Sequence, residues 1–136
     1  MEELNEMTLS NAMKVCDDNT ETKIGIACKD LMHKQNLIEQ FERQIVSGRM
    51  PGWTIVSHAF NSFAELKNNR GSRIMIFSMS NTHMGYSFHK ILYEYGLHQG
   101  AIDSLATCER LSFGSSDWTS CNTEELDNFL CSFKIH

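Results

Sequence analysis

The stretch that ends at Gly96 constrains the fold more than any other part of this sequence. Residues 73–79 (RIMIFSM) form a short apolar run, and the polar residues 80–82 lead from it into an amphipathic segment. The apolar residues of that segment recur at the spacing of a helical stripe, namely Met84, Phe88, Ile91, Leu92 and Tyr95. A strand that feeds a helix is the unit of a layered α/β fold. Because the run is apolar on both faces, we expect its strand to lie in the centre of the sheet.

The rest of the chain continues this alternation of helices and strands. Residues 1–20 show helical spacing and predict an N-terminal helix or arm. Asp30 is positioned to cap a second helix that runs to Val46, and Ser62-x-x-Glu65 has the form of a capping box for a short helix. The remaining predictions are strands at 23–28, 53–60 and 108–114, a linker at 97–107 and a last helix from Asn122.

These elements predict one globular domain over residues 1–136. The fold class is α/β or α+β, a layered sandwich of about four strands with helices, and the sheet is parallel or mixed. Hydrophobic residues make up 41% of the chain and charged residues 21%, with a single proline, which is typical of a folded domain. A chain of 136 residues is long enough to bury a core without disulfides or a metal.

Charge and hydropathy exclude several classes of function. The net charge of −5 argues against general binding to nucleic acid, since the nearest basic cluster is only Lys67, Arg70 and Arg73. No apolar run approaches the roughly 18 residues of a membrane span, and the acidic N-terminus lacks the layout of a signal peptide. Five cysteines, an odd number, indicate free thiols in a reducing compartment. We therefore expect a cytoplasmic protein without membrane contact.

The common signatures of catalysis and of cofactor binding are missing. The sequence has no G-x-G-x-x-G, no Walker lysine loop, no H-E-x-x-H and no G-x-S-x-G. Two cysteine–histidine pairs share one spacing, Cys28 with His33 and Cys131 with His136. Residues five apart differ by about 140° of rotation on a helix, so neither pair converges on a metal. The sequence thus predicts no metal and no cofactor.

The segment after the apolar run is the strongest small-ligand candidate. It joins a central strand to a helix start, where open α/β sheets bind anions. The donors would be Ser80, Asn81, Thr82 and His83, with Arg110 as the anion partner. The alternative is that Asn81 or Thr82 only caps the helix.

Two families share short motifs with this chain. From residue 35 to 133 the order of elements resembles the small domain of class V aminotransferases, through Arg73-Ile74, Arg110-Leu111-Ser112 and Thr123-Glu124-Glu125-Leu126-Asp127. That resemblance implies that Arg110 binds a substrate carboxylate, but the large domain and its cofactor lysine are missing. A second resemblance is to the small single-strand nucleic-acid-binding domain named for its Arg-x3-His signature, through His89, Tyr95-Gly96-Leu97 and Arg110, with Gly85 in place of the signature arginine.

The sequence favours a small regulatory or adaptor domain that binds another protein. No convergent catalytic set is visible, so a binding protein is favoured over an enzyme. The contacts would come from Arg110, Phe113 and Trp118, since arginine and aromatic residues dominate binding hot spots. The alternatives are a protein or enzyme that takes a small anion or phosphate at residues 78–83, and a single-strand nucleic-acid-binding domain.

Overall fold

A computed structural model describes residues 1–58, 63–79 and 86–111, and one sheet organises these parts of the chain. Within the described residues, two strands and two helices alternate, and four strands and a last helix follow them. The elements are β1 (Glu2–Glu3), α1 (Glu6–Asp18), β2 (Lys23–Cys28), α2 (Leu31–Val46), β3 (Thr54–His58), β4 (Phe63–Lys67), β5 (Arg73–Ser78), β6 (Lys90–Tyr93) and α3 (Gln99–Ala106).

The predicted α/β layered sandwich is confirmed, with a mixed sheet of six strands rather than about four. The strand order is β1-β6-β2-β5-β4-β3. The first four strands of that order are parallel, whereas β4 is antiparallel to both β5 and β3. β2 pairs along its whole length with β5, from Lys23 opposite Arg73 to Cys28 opposite Ser78. β2 and β5 are therefore central strands, as the apolar run predicts.

The sheet separates two apolar clusters. On one face α1 and α2 pack on the alternate residues of β2 and β5, among them Ile24, Ile26, Ile74 and Ile76, all fully buried. Burial of one such side chain contributes about 1.5–3 kcal/mol. On the other face Leu105 of α3 packs with Phe77, Phe88 and Ile91. No helix within the described ranges combines the length and apolarity that a membrane crossing needs.

Both long helices begin directly after a capping residue, Asn5 for α1 and Asp30 for α2. Asn5 and Thr8 form a capping box at the start of α1, with Thr8 N–H donating to Asn5 Oδ1 at 2.9 Å. The Asp30 cap is confirmed, since Asp30 Oδ1 accepts from His33 N–H at 2.8 Å. Each strand-to-helix link has only two residues, so both helix starts lie close to the strand ends that precede them.

From residue 86 onward, the amphipathic segment that predicted a helix up to Tyr95 is instead coil followed by the strand β6. Ile91 and Leu92 are both fully buried, one on each face of the sheet. Two consecutive apolar residues fit positions i+7 and i+8 of a helical stripe. They fit equally well in a strand whose two faces are both covered. Tyr95 is 71% exposed, so it does not belong to a buried stripe. The helix prediction was wrong for this reason.

The short helix predicted at residues 62–68 is also wrong, because residues 63–67 form β4. Ser62-x-x-Glu65 imitates a capping box, but β4 alternates Ala64 and Leu66 toward one face with Glu65 toward the other. Strand pairing to β3 and β5 on both sides overrides the local helix signal.

In the described residues, the structure contradicts both predictions made between residues 97 and 114. The predicted linker contains α3, whose start is capped by His98 through Ala101 N–H at 3.1 Å. The predicted edge strand at 108–114 begins instead as a series of turns, in which Arg110 N–H donates to the Cys108 carbonyl at 3.1 Å. The rest of that segment and the helix from Asn122 lie outside the described residues.

Gly25 lets Phe88 approach the middle of β2. A Cβ atom on Gly25 would lie 3.3 Å from three atoms of the Phe88 ring, which itself stacks on Phe77 with centroids 6.1 Å apart. The Phe88 ring therefore covers the central strand β2 on the face opposite α1 and α2.

We predict that Gly25→Ala destabilises the domain by about 1–3 kcal/mol, because the added methyl group overpacks the Phe88 ring. Urea denaturation measures the change. The control is a double-mutant cycle with Phe88→Leu, which makes room for the methyl group, so the double variant loses less than the sum of the single variants. If the losses in unfolding free energy of the two single variants add up to that of the double variant within about 0.5 kcal/mol, the packing explanation is contradicted.

Candidate functional site at the carboxyl edge of the sheet

The carboxyl ends of the four parallel strands meet at one edge of the sheet. These ends are Glu3, Cys28, Ser78 and Tyr93, and hydrogen bonds continue past them, as from Leu4 N–H to the Tyr93 carbonyl and from Met79 N–H to the Cys28 carbonyl. Open α/β sheets bind their ligands beyond this edge, beside the connections that leave the strands. The edge is therefore the first place in this fold to look for a site.

Glu94 is the central residue of this edge. It follows β6 directly and is only 7% exposed. Its Oε2 accepts from Lys29 N–H at 3.0 Å, and both of its carboxylate oxygens lie 2.8 Å from His33 Nδ1. Three separate elements, the β2–α2 link, α2 and β6, thus fix one buried carboxylate in place.

Two lysines, Lys29 and Lys34, lie on the elements that hold this carboxylate. Lys29 leaves β2 with an exposed side chain, and its Nζ would lie 3.6 Å from a Cβ atom on Gly96, so the ammonium group lies over the turn after β6. Lys34 of α2 is only 7% exposed. We call Lys29, Asp30, His33, Lys34 and Glu94 the carboxyl-edge cluster.

Cys28 lies beneath this cluster with its side chain buried. Burial raises the pKa of the Cys28 thiol to about 12, with a further contribution from the charge of Glu94, and Lys34 acts in the opposite direction. A thiol with such a pKa is protonated at neutral pH and is a poor nucleophile or metal ligand. Cys28 therefore acts as a small apolar core residue.

The cluster can orient a ligand or share a cation but cannot cage a metal alone. Within residues 1–58, 63–79 and 86–111, no group of three His, Cys, Asp or Glu side chains has the arrangement of a metal site. Mg²⁺ in proteins is commonly held by one or two carboxylates together with phosphate oxygens of a ligand. One oriented carboxylate, Glu94, next to the free-standing ammonium group of Lys29 fits that second arrangement.

At each helix start, the capping side chain occupies one of the first-turn N–H groups that could otherwise bind an anion. Asn5 and Asp30 already occupy the N–H groups of Thr8 and His33. Asp30 also adds negative charge at the start of α2, where a phosphate would otherwise gain from the helix dipole. A phosphate at this edge therefore needs a bridging cation or the Lys29 side chain.

Three solved structures that resemble this chain are of the large terminase from the thermophilic bacteriophage D6E. In crystal form 3 the TM-score is 0.58 with 13% identity over 81% of this chain. In crystal form 2 it is 0.56 with 16% identity over 76%, and in crystal form 3 in complex with ADP it is 0.55 with 15% identity over 80%. The chain spans only 27 to 29% of the length of those terminase chains. No known protein family and no curated protein matches the chain.

The likeness to the terminase establishes a shared fold.

The class V aminotransferase resemblance predicts a helix after the strand at Arg73, whereas the next element in the described residues is β6. It also expects a strand at Arg110 and Leu111, which lie in turns and coil. That resemblance therefore fails on the order of elements.

Most of the residues predicted as ligand or partner contacts lie outside the described residues. These are Ser80, Asn81, Thr82 and His83 for the ligand and Phe113 and Trp118 for a partner. The strand that precedes the first group ends at Ser78, which is at the carboxyl edge as predicted. The role of these residues stays a prediction.

Arg110 lies at the other end of β6. Leu111 N–H donates to the Phe88 carbonyl at 3.1 Å, which places this segment next to the residues that precede β6. The exposed Arg110 side chain turns back onto its own chain, since its Nε donates to the Thr107 carbonyl at 2.6 Å. The structure thus places Arg110 beside the start of β6, while the residues from 80 onward follow a strand that ends at the carboxyl edge.

Sequence reasoning missed Glu94 and assigned no site role to His33. Glu94 lies within the segment that was predicted to be helical up to Gly96, so its position at a strand end was not visible. The signal that could have found it is an acidic residue directly after the apolar run of β6, residues 90–93. His33 entered only as half of a rejected zinc pair with Cys28, and its actual partner is 61 positions away.

We predict that Cys28 resists alkylation in the folded protein, because its thiol is buried and its pKa is raised to about 12. Iodoacetamide at pH 8 followed by peptide mapping should leave Cys28 unlabelled. Cys16 is an internal control, since burial raises the pKa of its thiol as well. In guanidinium chloride both should be labelled. Native labelling of Cys28 at the denatured rate would show that the carboxyl edge is open beneath Glu94.

Proposed function

We propose that this domain binds an adenine nucleotide at the carboxyl edge, with a divalent cation shared between the phosphates and Glu94. The observation that carries the proposal is the buried Glu94 carboxylate, fixed at 3.0 Å by Lys29 N–H and at 2.8 Å by His33. A carboxylate held from both sides is ready to accept a cation without reorganisation. Lys29 Nζ supplies a positive group for a phosphate oxygen on the same side of the sheet.

Two further points support this function. The carboxyl edge is where the fold class binds nucleotides in general. One of the terminase structures with the same fold was solved in complex with ADP. The caps Asn5 and Asp30 explain why the proposal includes a cation: without one, the phosphates would meet Asp30 and Glu94 as like charges.

We predict that ADP with Mg²⁺ binds to the wild-type chain, measured by calorimetry, and that EDTA abolishes the binding. Glu94→Gln should weaken binding at least about tenfold, a loss of about 1.4 kcal/mol, because the amide is a poor cation ligand. Lys29→Ala, an exposed position, should weaken it without affecting the fold. Glu39→Gln is the control, since it removes an exposed carboxylate of α2 that does not belong to the carboxyl-edge cluster. Absent ADP binding, or equal affinities for the Glu94 and Glu39 variants, would refute the proposal.

The second function we propose is binding to another protein through the same edge. Four large apolar side chains are exposed there, two at the start of α2, one at the start of α1 and one after β6. They are Leu31 (54% exposed), Met32 (78%), Met7 (71%) and Tyr95 (71%). Exposed apolar groups gathered at one place are typical of an interaction surface, and methionine adapts to varied partners.

We predict that Met32→Glu abolishes capture of a protein partner that the wild-type chain retains from lysate of its native host, quantified by mass spectrometry. Val46→Glu is the control, because Val46 is 87% exposed and lies at the opposite end of the same helix. The partner should be retained by the wild-type chain and by the Val46 variant. Identical captured sets for all three chains would count against this surface.

A further inference from the structure

The sheet also has a cavity, which extends from the amino ends of β2 and β5. It has a volume of about 340 Å³ and lies over the beginnings of β2 and β5, on the face opposite α1 and α2. Its lining residues run from Arg73, about 17 Å along β5 from the carboxyl end of that strand at Ser78, to Phe63, which is paired with Phe77 near that end. We call it the amino-end cleft.

One end of the amino-end cleft is cationic because of strand register. Lys23 of β2 is paired with Arg73 of β5, and Arg73 is paired with Lys67 of β4. Cross-strand neighbours point to the same face of a sheet, so these three side chains form one row across three strands. Three like charges in a row are unfavourable unless a counter-charge or an anion lies among them.

Glu65 supplies part of that counter-charge. It lies two pairs further along β4, opposite Met75 and on the same face as Lys67, and is only 8% exposed. Its Oε1 is 3.4 Å from Arg73 Nη1 and 3.8 Å from Lys67 Nζ. Among the described residues, this carboxylate faces Lys23 and Arg73, which line the cleft, and Lys67 beside them, so this end is positive in a chain whose net charge is −5. The local excess therefore stands out against the charge of the whole chain.

The other end of the cleft is aromatic. Phe63 and Tyr86 contact each other edge to face with ring centroids 5.9 Å apart. Phe88, which lies over Gly25, completes the wall. Aromatic side chains offer flat surfaces on which a planar ring of a ligand can stack.

We propose that the amino-end cleft binds one nucleotide unit, with its phosphate on the Lys23–Arg73–Lys67 row and its base against the aromatic wall. Glu65 lies between the two ends, where its carboxylate can accept hydrogen bonds from N–H or O–H groups of the ligand. The row supplies positive charge directly, so binding here needs no divalent cation. The inference does not depend on the nucleotide site proposed at the carboxyl edge.

The test measures binding of AMP in the presence of EDTA, where the carboxyl edge cannot use a cation. We expect AMP to bind, and adenosine alone and inorganic phosphate alone to bind at least about tenfold more weakly, since each contacts only one end of the cleft. Arg73→Gln and Lys23→Gln should each weaken AMP binding several-fold. Arg49→Gln is the matched control, because it removes an exposed arginine that does not line the cleft. Glu94→Gln should leave this binding unchanged.

The source of the nucleotide unit is decided by a second arm with a short single-stranded oligonucleotide. Tighter binding of the oligonucleotide than of AMP, lost in Arg73→Gln, would assign the cleft to a unit within a strand. Equal binding would assign it to a free nucleotide. No AMP or oligonucleotide binding in EDTA, or equal affinities for the Arg73 and Arg49 variants, would overturn the proposal whatever happens at the carboxyl edge.

Discussion

The parallel pairing of β2 with β5 and β6 is the interaction on which the rest of this structure depends. β2 is hydrogen-bonded on both sides and covered on both faces, so its side chains must be apolar or absent in both directions. Ile24 and Ile26 meet that requirement toward the helices, and Gly25 and Ala27 meet it toward Phe88. Parallel strands also need long crossovers, which is why α1 precedes β2 and α2 follows it.

This strand direction determines where chemistry can occur. Because four strands run the same way, the connections that leave them share one edge, and α1 and α2 both begin there. Residues far apart in the chain, such as His33 and Glu94, are brought into contact by that shared edge and by nothing local. The site is therefore a property of the sheet, and its residues share no sequence motif.

The sequence was sufficient for the central part of the fold. The strand at residues 23–28, the Asp30 cap and the apolar run at 73–78 were correctly predicted, because burial on both faces and helix capping are local signals. β6 and β4 were predicted to be helices, because a short apolar run fits the periodicity of a helix and that of a strand. Only strand pairing decides between the two. Because β6 was predicted to be helical, Glu94 was not recognised as a residue at a strand end. The sequence showed Lys67 and Arg73 as a basic cluster, but it could not show that they are paired across two strands.

The charges at the two ends of the sheet follow from how its strands begin and end. β2, β5 and β6 begin with Lys23, Arg73 and Lys90, whereas Asp30 and Glu94 lie just beyond the carboxyl ends of β2 and β6. Helix capping accounts for Asp30, and the cationic strand starts keep the opposite edge of a largely apolar sheet hydrated. The amino edge therefore offers positive charge to an anion directly, whereas at the carboxyl edge Asp30 and Glu94 oppose an anion unless Lys29 or a bound cation offsets their charge. A ligand that carries both a phosphate and an aromatic ring therefore meets different requirements at the two ends, and dependence on a divalent cation distinguishes them.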